Sequence, residues 1–559
     1  MDRLNKKITL LLALLSCAYS STAQNSATLS AESLFVQTNA TVLLTGETLY
    51  YKLYCLNQMN TISDISQIAY VELVNSQKES VLKTKIKLDK GLGNGDSFLP
   101  TTLSSGNYKL IAYTNWMLNN RQNTFFEIDL TILNPFQKNL NLISDSTIVS
   151  YQTTAKKDNE NSLLILDKEK YSKREKVSLF IPQTLERGNY VLSVKKIDNI
   201  PVPNYKNNSI QNQNLNQILT YLPETRGELV TGSIRAKNET AVVSSKIVTL
   251  SISDKNFIYK TTKTDENGKF IFILDKQTSN TVVYLQLSEA DRENYTIKID
   301  KKQVPNLSSL NFSKTTSISA KNLNAIQERS LATQIENVYF MQKKDSIFEA
   351  PAASPFFHPT EKRYNLDDYD RFRTFKETII EIVLELSFKE YNKVPSLYLN
   401  DSRYNITQSK EPCLVLVDGL QIQDMNAINN FSSTQIESIS VVSSPYYYGP
   451  KLFNGIVSIC TKNKDFASSY LDKNVLTTRI LRPQPDKIYY QPNYQISNYE
   501  QRIPDYRYQL LWEPNLTSSN IQQEISFYSS DITGNFEIVL EGLSEEGKLV
   551  RLTKTLLVK

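Results

Sequence analysis

Histidine is all but missing from this chain: His358 stands alone among 559 residues. One imidazole cannot furnish a histidine-based zinc site or the base of a Ser-His-Asp triad. His358 lies between Phe357 and Pro359 in a predicted loop and reads as structural. Gly-x-Ser-x-Gly, His-Glu-x-x-His and Cys-x-x-Cys are absent too, so hydrolytic and redox chemistry lacks the residues it needs. The expectation is a protein that is not an enzyme and uses no cofactor and no metal. Cysteine is scarce. Of four, Cys17 falls in the leader, and Cys55, Cys413 and Cys460 remain. An odd count does not describe a disulfide scaffold. Cys413 and Cys460, in two predicted strands of one unit, either pair or stay as buried thiols. Charge excess is lacking as well. The formal +5 falls to +3 once Arg3, Lys6 and Lys7, set against Asp2, leave with the leader, which argues against nucleic acid. Beyond the leader, no apolar run approaches the roughly twenty residues of a spanning helix.

The leader itself is distinct. Lys6 and Lys7 precede the apolar run Ile8 to Leu15, and Ser21-Thr22-Ala23 is a small-x-small cleavage site before Gln24. Residues 1–23 are therefore expected to be an export signal. An alternative ends it earlier: Leu14-Leu15-Ser16-Cys17 resembles a lipobox, which would make Cys17 a lipidated first residue. Ala-Tyr-Ser-Ser follows Cys17 without an acidic cluster, and cleavage after Ala23 is preferred.

One short phrase recurs in the body of the chain. Glycine, one residue, an aromatic, one residue and an aliphatic or aromatic appear at Gly106-Asn107-Tyr108-Lys109-Leu110, Gly188-Asn189-Tyr190-Val191-Leu192, Gly268-Lys269-Phe270-Ile271-Phe272 and Gly534-Asn535-Phe536-Glu537-Ile538. Glycine suits the turn that ends one strand, and the i, i+2 apolar pair marks one face of the next. Spacings of about eighty residues between the first three copies match small sandwich modules.

Residues 30–135 carry the fullest pattern: the strand Leu49-Tyr50-Tyr51-Lys52-Leu53-Tyr54 after a Gly46-Glu47 turn, then Leu103-Ser104-Ser105-Gly106-Asn107-Tyr108 and Ala112-Tyr113-Thr114-Asn115-Trp116. This resembles the MG2-type macroglobulin domain of Bacteroidota envelope proteins. No cysteine is followed by Gly-Glu-Gln, so the covalent trapping chemistry of full macroglobulins is excluded. A second macroglobulin-like module is expected over 155–222, ending in an Asn-rich stretch from Asn204 to Asn216. Residues 223–305 resemble a carboxypeptidase-regulatory-like sandwich through Gly232-Ser233-Ile234, the run Val248 to Ile252, and Thr264-Asp265-Glu266-Asn267-Gly268-Lys269-Phe270. Asp265 and Asn267 form a tight-turn sequence, since the acidic series of a calcium loop does not follow. Leu366, Tyr369, Phe372, Phe375, Ile379, Ile382, Val383 and Leu386 recur at helical spacing, with Asp367 and Asp368 in the first turn, predicting one amphipathic helix.

The most specific signal lies in residues 411–463. Leu414-Val415-Leu416-Val417-Asp418-Gly419 is followed by Ile436-Glu437-Ser438-Ile439-Ser440-Val441, then Tyr448-Gly449, then Asn454-Gly455-Ile456-Val457-Ser458-Ile459-Cys460-Thr461-Lys462. The four blocks, in order, closely resemble the plug domain of TonB-dependent outer-membrane receptors. A receptor barrel of about 22 strands needs about ten residues for each. Only 97 residues follow Lys462, so a plug without its own barrel is expected.

The resemblances imply a mainly β fold: tandem Ig/macroglobulin-like β-sandwiches with one small α/β plug-type domain. The expected order is a signal (1–23), an MG2-like sandwich (24–140), a second macroglobulin-like sandwich (155–222), the carboxypeptidase-regulatory-like sandwich (223–305), helix and plug (306–463), a Tyr/Pro-rich linker (464–508) and C-terminal sandwich elements (509–559). They imply an exported, outer-membrane-associated binding subunit that docks on a β-barrel partner. The Tyr446-Tyr447-Tyr448 loop is the candidate contact. The competing expectation is an adhesin or carbohydrate binder, for which 32 tyrosines, including those from Tyr489 to Tyr508, supply aromatic surface. Asp145-Ser146-Thr147 and Asp345-Ser346-Ile347 resemble the O-glycosylation sequon of Bacteroidota exported proteins, at Ser146 and Ser346.

Overall fold

The computed structural model describes residues 31–120, 125–137, 142–143, 163–198, 200, 219–238, 241–312, 318–319, 322–348, 354–391, 394–400, 412–495, 502–518 and 521–559. The leader with Cys17, the sequon at Ser146 and the Asn-rich stretch lie outside them. The protein is mainly β, a series of sandwiches carrying one small α/β unit.

Period-two alternation builds the first sandwich. In β3 (Thr48–Leu56), Leu49, Tyr51, Leu53 and Cys55 enter the core, while Tyr50, Lys52 and Tyr54 take the opposite face. One sheet runs β1 (Ser33–Thr38), β3, β6 (Leu92–Phe98); the other runs β2 (Val42–Leu44), β8 (Phe126–Leu133), β7 (Gly106–Thr114), β4 (Ile68–Val74), β5 (Ser80–Lys87). The chain then begins a second sandwich with β9 (Ile165–Leu166), β10 (Lys170–Tyr171), β11 (Lys176–Ile181) and β12 (Gly188–Lys196), and leaves it unfinished. A third follows, from β13 (Glu228–Ala236), β14 (Ile247–Ile252), β15 (Ile258–Lys263), β16 (Lys269–Leu274), β17 (Val282–Leu287) and β18 (Tyr295–Ile299).

Helix α1 (Leu323–Val338) leads to the α/β unit. Its sheet has the order β19 (Lys362–Asn365), β24 (Ile436–Tyr448), β25 (Lys451–Thr461), β22 (Leu414–Val417), β23 (Leu420–Ile422). Helix α2 (Phe375–Glu381) and the hairpin β20 (Leu386–Tyr391) with β21 (Val394–Leu399) pack on one side. The chain next lends β26 (Leu476–Arg479) to the third sandwich, whose sheets are β16–β13–β18 and β15–β14–β17–β26. Finally β27 (Gln509–Thr517), β28 (Gln523–Tyr528), β29 (Gly534–Ser544) and β30 (Leu549–Val558) return to complete the second sandwich, with sheets β9–β11–β28 and β10–β30–β29–β12–β27.

The four glycine phrases open β7, β12, β16 and β29, and each aromatic (Tyr108, Tyr190, Phe270, Phe536) is buried in its core. Both tyrosines donate their hydroxyl to the carbonyl four residues upstream, Tyr108 to Ser104 at 2.8 Å and Tyr190 to Glu186 at 2.7 Å. Gly188 lies where a Cβ would stand 2.3 Å from the Leu543 carbonyl oxygen, so β12 and β29 require glycine there for close approach.

Three expectations need correction. Residues 155–222 and 509–559 are not separate modules: β12 is flanked by β29 and β27, because neither half has enough strands to bury Tyr190, Leu192 and Val194 alone. The helix over 366–386 is broken. Leu366–Asp368 is a single 3-10 turn, Tyr369 is extended, and α2 starts afresh at Thr374, which forms a reciprocal capping box with Glu377. Residues 464–508 are not a plain linker, since β26 pairs with β17 and Arg482, Tyr489, Ile503, Asp505 and Arg507 are buried.

Candidate functional site

The first two sandwiches meet through the faces their cores leave free. Tyr190, Leu192 and Val194 fill the second core, so Val191, Ser193 and Lys195 face outward on β12. Tyr54 donates to the Asn189 carbonyl at 3.2 Å, and Lys52 Nζ to Asn515 Oδ1 at 2.6 Å. Tyr50 stacks on Trp512 with ring centres 5.8 Å apart and meets Tyr489 edge-on at 5.0 Å. Burial holds the Lys52 ammonium down at about 8, against the partial support of Glu513.

A folded value below the ordinary 10.5 means that the unfolded chain binds the proton more tightly. Stability therefore rises with pH between about 8 and 10.5, and the cost is fully present below that window. Lys52→Met is expected to be more stable than the parent at pH 7 by about 1–3 kcal/mol. That margin should shrink toward pH 10 in denaturant titrations. A variant that is less stable at pH 7 would refute the assignment.

Where this contact opens, it leaves a cleft of about 590 Å³. Helix α1 closes one side with Thr333, Glu336 and Asn337, and the chain from 487 to 491 closes another. Ion pairs hold the walls. Lys487 bridges Asp96 at 2.6 Å and Asp345 at 3.1 Å. Glu336 accepts from Lys343 Nζ at 2.7 Å and from the Tyr506 amide at 2.6 Å; burial raises this carboxyl above its ordinary range despite Lys343. Arg329 of α1 clasps Glu47 at 2.6 and 2.7 Å.

Lys195 differs from these groups. It lines the cleft with no hydrogen-bonded or ion-paired partner among the described residues, and burial together with the Arg329 charge lowers its ammonium to about 8. Two further groups are unmatched: Trp512 Nε1 and Gln491 Oε1 are closed to solvent and have no hydrogen-bond partner among the described residues. The cleft thus gathers an ammonium and aromatic rings around a space of small-ligand size, and two residues that line it, Trp512 and Gln491, carry the unmatched atoms. The sequence singled out the tyrosines from Tyr489 to Tyr508 but not the cleft. The available signal was in β3, where Tyr50, Lys52 and Tyr54 occupy the face its own core does not use.

The residues singled out in 411–463 fall in the α/β unit. Asp418 and Gly419 form the turn after β22, with φ of 49° and 84°. The buried Asp418 carboxylate accepts from the Thr461 amide at 2.8 Å. A Cβ on Gly419 would lie 2.3 Å from Phe257 Cβ, so this turn touches the third sandwich. Gln421 extends the contact, accepting from Thr249 Oγ1 at 2.9 Å and donating to Ser288 Oγ at 3.1 Å.

The three tyrosines part company. Tyr446 donates to the Phe356 carbonyl and Tyr448 to the Tyr259 carbonyl, both at 2.6 Å, while Tyr447 is 77% exposed. The expected contact loop is thus reduced to one free ring, because neighbouring elements of the same chain take the other two.

Cys413 and Cys460 do not pair. Leu414 stands opposite Ile456, which puts Cys413 beside Gly455 and Cys460 five residues further along. That is roughly 16 Å at about 3.3 Å per residue, against a disulfide limit of about 7 Å. Burial pushes the Cys413 thiol up to about 12. His358 pairs through Nδ1 with Glu361 at 2.9 Å. Ser346 is exposed in a two-residue strand, Ser346–Ile347, beside the cleft residue Asp345.

No protein-family model matches the chain, and no curated protein matches it significantly. Among solved structures it is similar to Salmonella alpha-2-macroglobulin reacted with methylamine, at 9% identity and a TM-score of 0.24, over 95% of this chain and 40% of that one. Escherichia coli alpha-2-macroglobulin activated by porcine elastase matches at 7% and 0.25, over 94% and 44%. Dimeric latent PorU from Porphyromonas gingivalis matches at 7% and 0.16, over 49% and 33%. The chain therefore spans less than half the length of each of these three.

Proposed function

We propose that this protein is a non-catalytic binding subunit of an outer-membrane complex, exported and held at that membrane, and that it docks on a separate β-barrel protein through the tip of the β24–β25 hairpin. The resemblance of β22, β24 and β25 to a receptor plug supports the reading, with the macroglobulin-like and carboxypeptidase-regulatory-like modules as its carrier. The observation that carries it is a cross-strand pair. Tyr447 faces Leu452 at the hairpin tip, 77% and 40% exposed. The flanking Tyr446, Tyr448 and Lys451 are bonded to the body of the protein, Lys451 Nζ reaching the Ser288 carbonyl at 2.6 Å. An aromatic-aliphatic knob on a rigid base loses little conformational freedom on docking.

Replacing both Tyr447 and Leu452 with serine is expected to cut recovery of a barrel partner from gently solubilised membranes at least tenfold, without changing the unfolding midpoint. Undiminished recovery by the folded variant would refute the docking face. The second reading, carbohydrate binding, draws on a different place, the cleft between the first two sandwiches.

A further inference from the structure

We propose that the cleft between the first and second sandwiches binds an acidic carbohydrate, a short oligosaccharide carrying a single carboxylate on the ring that meets Lys195. The inference does not depend on the docking face, which lies on the α/β unit.

The first ground is the pair of unmatched atoms. A buried donor or acceptor without a partner costs about 1–3 kcal/mol, and such groups are rare in folded proteins. Here two occur on residues that line one cleft: Nε1 of Trp512, itself 4% exposed, and Oε1 of Gln491. One needs an acceptor and the other a donor. A sugar hydroxyl is both, so a ligand with several hydroxyls can meet the two requirements without a charge once the indole and the amide turn from their closed positions toward the cleft.

The second ground is Lys195. The other cations on the walls, Lys343, Lys487 and Arg507, are each paired with a carboxylate. Lys195 is the lining cation in contact with none among the described residues; Arg329 nearby makes its charge harder to hold, and Glu47, Asp198 and Glu537 offset that only in part from a distance. A ligand carboxylate would supply the missing partner. A more highly charged anion would not fit as well, because Glu47, Asp96, Glu336 and Asp345 also line the cleft. One negative charge matches one free ammonium.

The third ground is the rim. Phe98, Phe340 and Tyr506 are 52%, 58% and 37% exposed there. Aromatic faces suit the C–H side of a sugar ring while its hydroxyls turn to polar groups.

An extended peptide is the competing ligand, and the edge of β27 argues against it. A peptide adding to that edge needs its carbonyls. Side chains already occupy them: the Leu510 carbonyl accepts from Gln491 Nε2 and Arg507 Nη1, both at 3.0 Å, and the Leu511 carbonyl from Gln509 Nε2 at 2.7 Å.

The test is titration calorimetry of the full chain with two pairs in which only one member carries a carboxylate, sialyllactose against lactose and glucuronyl-β-1,4-glucose against cellobiose. A blocked tetrapeptide of alternating valine and serine serves as the peptide probe. The expected result is that at least one acidic glycan binds at least tenfold more tightly than its neutral partner. Its affinity should fall as pH rises through about 8, where Lys195 loses its proton. Lys195→Gln should abolish the acidic preference and leave neutral binding unchanged, while Lys196→Gln, a neighbouring lysine that does not line the cleft, changes neither. Trp512→Phe, which keeps a ring and removes the N–H, should weaken the acidic glycan about tenfold. Should that variant not fold, Lys195→Gln against Lys196→Gln decides alone. Absence of binding by all four glycans, acidic and neutral affinities that are equal, an acidic preference that survives Lys195→Gln, or tighter binding of the peptide would each overturn the proposal.

Discussion

Replacing Arg329 with leucine is expected to release helix α1 and destabilise the protein by about 3–5 kcal/mol, the usual cost of stranding buried charges. Arg329 is buried and bonds two carboxylates and a carbonyl: Glu47 at 2.6 and 2.7 Å, Asp198 at 2.9 Å and the Val42 carbonyl at 3.0 Å. Glu47 belongs to the first sandwich and Asp198 to the segment that follows β12 of the second, so one side chain ties three parts together. The apolar support of the helix is small: Ile326 is buried in a cluster with Val42, Leu44, Leu133 and Ile200, and Ala332 is the other buried apolar residue.

The effect has a pH signature. Burial alone would raise the Glu47 carboxyl, but the charge and hydrogen bonds of Arg329 outweigh it and hold it below the ordinary range. A lowered carboxyl contributes stability that is present above its unfolded value and lost as pH falls through the folded one. In the leucine variant, burial acts on Glu47 without that guanidinium. The gap between parent and variant should therefore be widest near pH 7 and narrow on acidification toward pH 4. Denaturant midpoints at both pH values, with proteolysis of α1 as the local probe, check this. A gap below about 1 kcal/mol, or one independent of pH, would contradict it.

Glu228→Leu is expected to cost a similar amount, about 3–5 kcal/mol. The buried Glu228 carboxylate of β13 takes Lys85 Nζ of β5 on one oxygen and Arg482 Nη1 on the other, the latter at 2.5 Å. Its loss leaves two buried cations facing each other across the first sandwich, the third sandwich and the segment after β26. Burial already lowers the Lys85 ammonium, with Glu228 as its main support. Adding Lys85→Met to Glu228→Leu should recover part of the loss, since a stranded charge is worse than an apolar replacement. Small-angle scattering of the single variant should show an increased radius as the modules separate. A double variant less stable than Glu228→Leu alone would show that Lys85 does not depend on this carboxylate.

Local order was legible where it repeats with a fixed period. Strands such as β13 and β16 alternate between buried and more open positions, and the glycine phrases mark where core strands begin, because glycine permits the turn and the next aromatic has one buried side to occupy. The turns at Asp418-Gly419 and Asn267-Gly268 follow from the same local chemistry, with glycine φ of 84° and 74°. Helix α1 escaped because its buried stripe is thin and its anchor is a charged residue, which no hydrophobic period records. The 366–386 stripe misled because a 3-10 turn and a short helix reproduce the i+3 spacing of one long helix, while the Thr374 cap shows that the second begins independently.

By itself the sequence determined the mainly β class, the core strands that the glycine phrases open and the turns beside them, since these depend on residues a few places apart. Tertiary structure alone decided which strands are neighbours. It placed β27 and β29 beside β12 after more than three hundred intervening residues, and it held Cys413 and Cys460 apart by register. It also turned Tyr446 and Tyr448 inward and left Tyr447 outside. The cleft arises in the same way, because Tyr50, Lys195, Gln491 and Trp512 meet only when the outward faces of two sandwiches pack. Outward side chains carry no period of their own. What they touch is set by how whole sheets dock, which depends on long-range burial and charge pairing and not on local spacing.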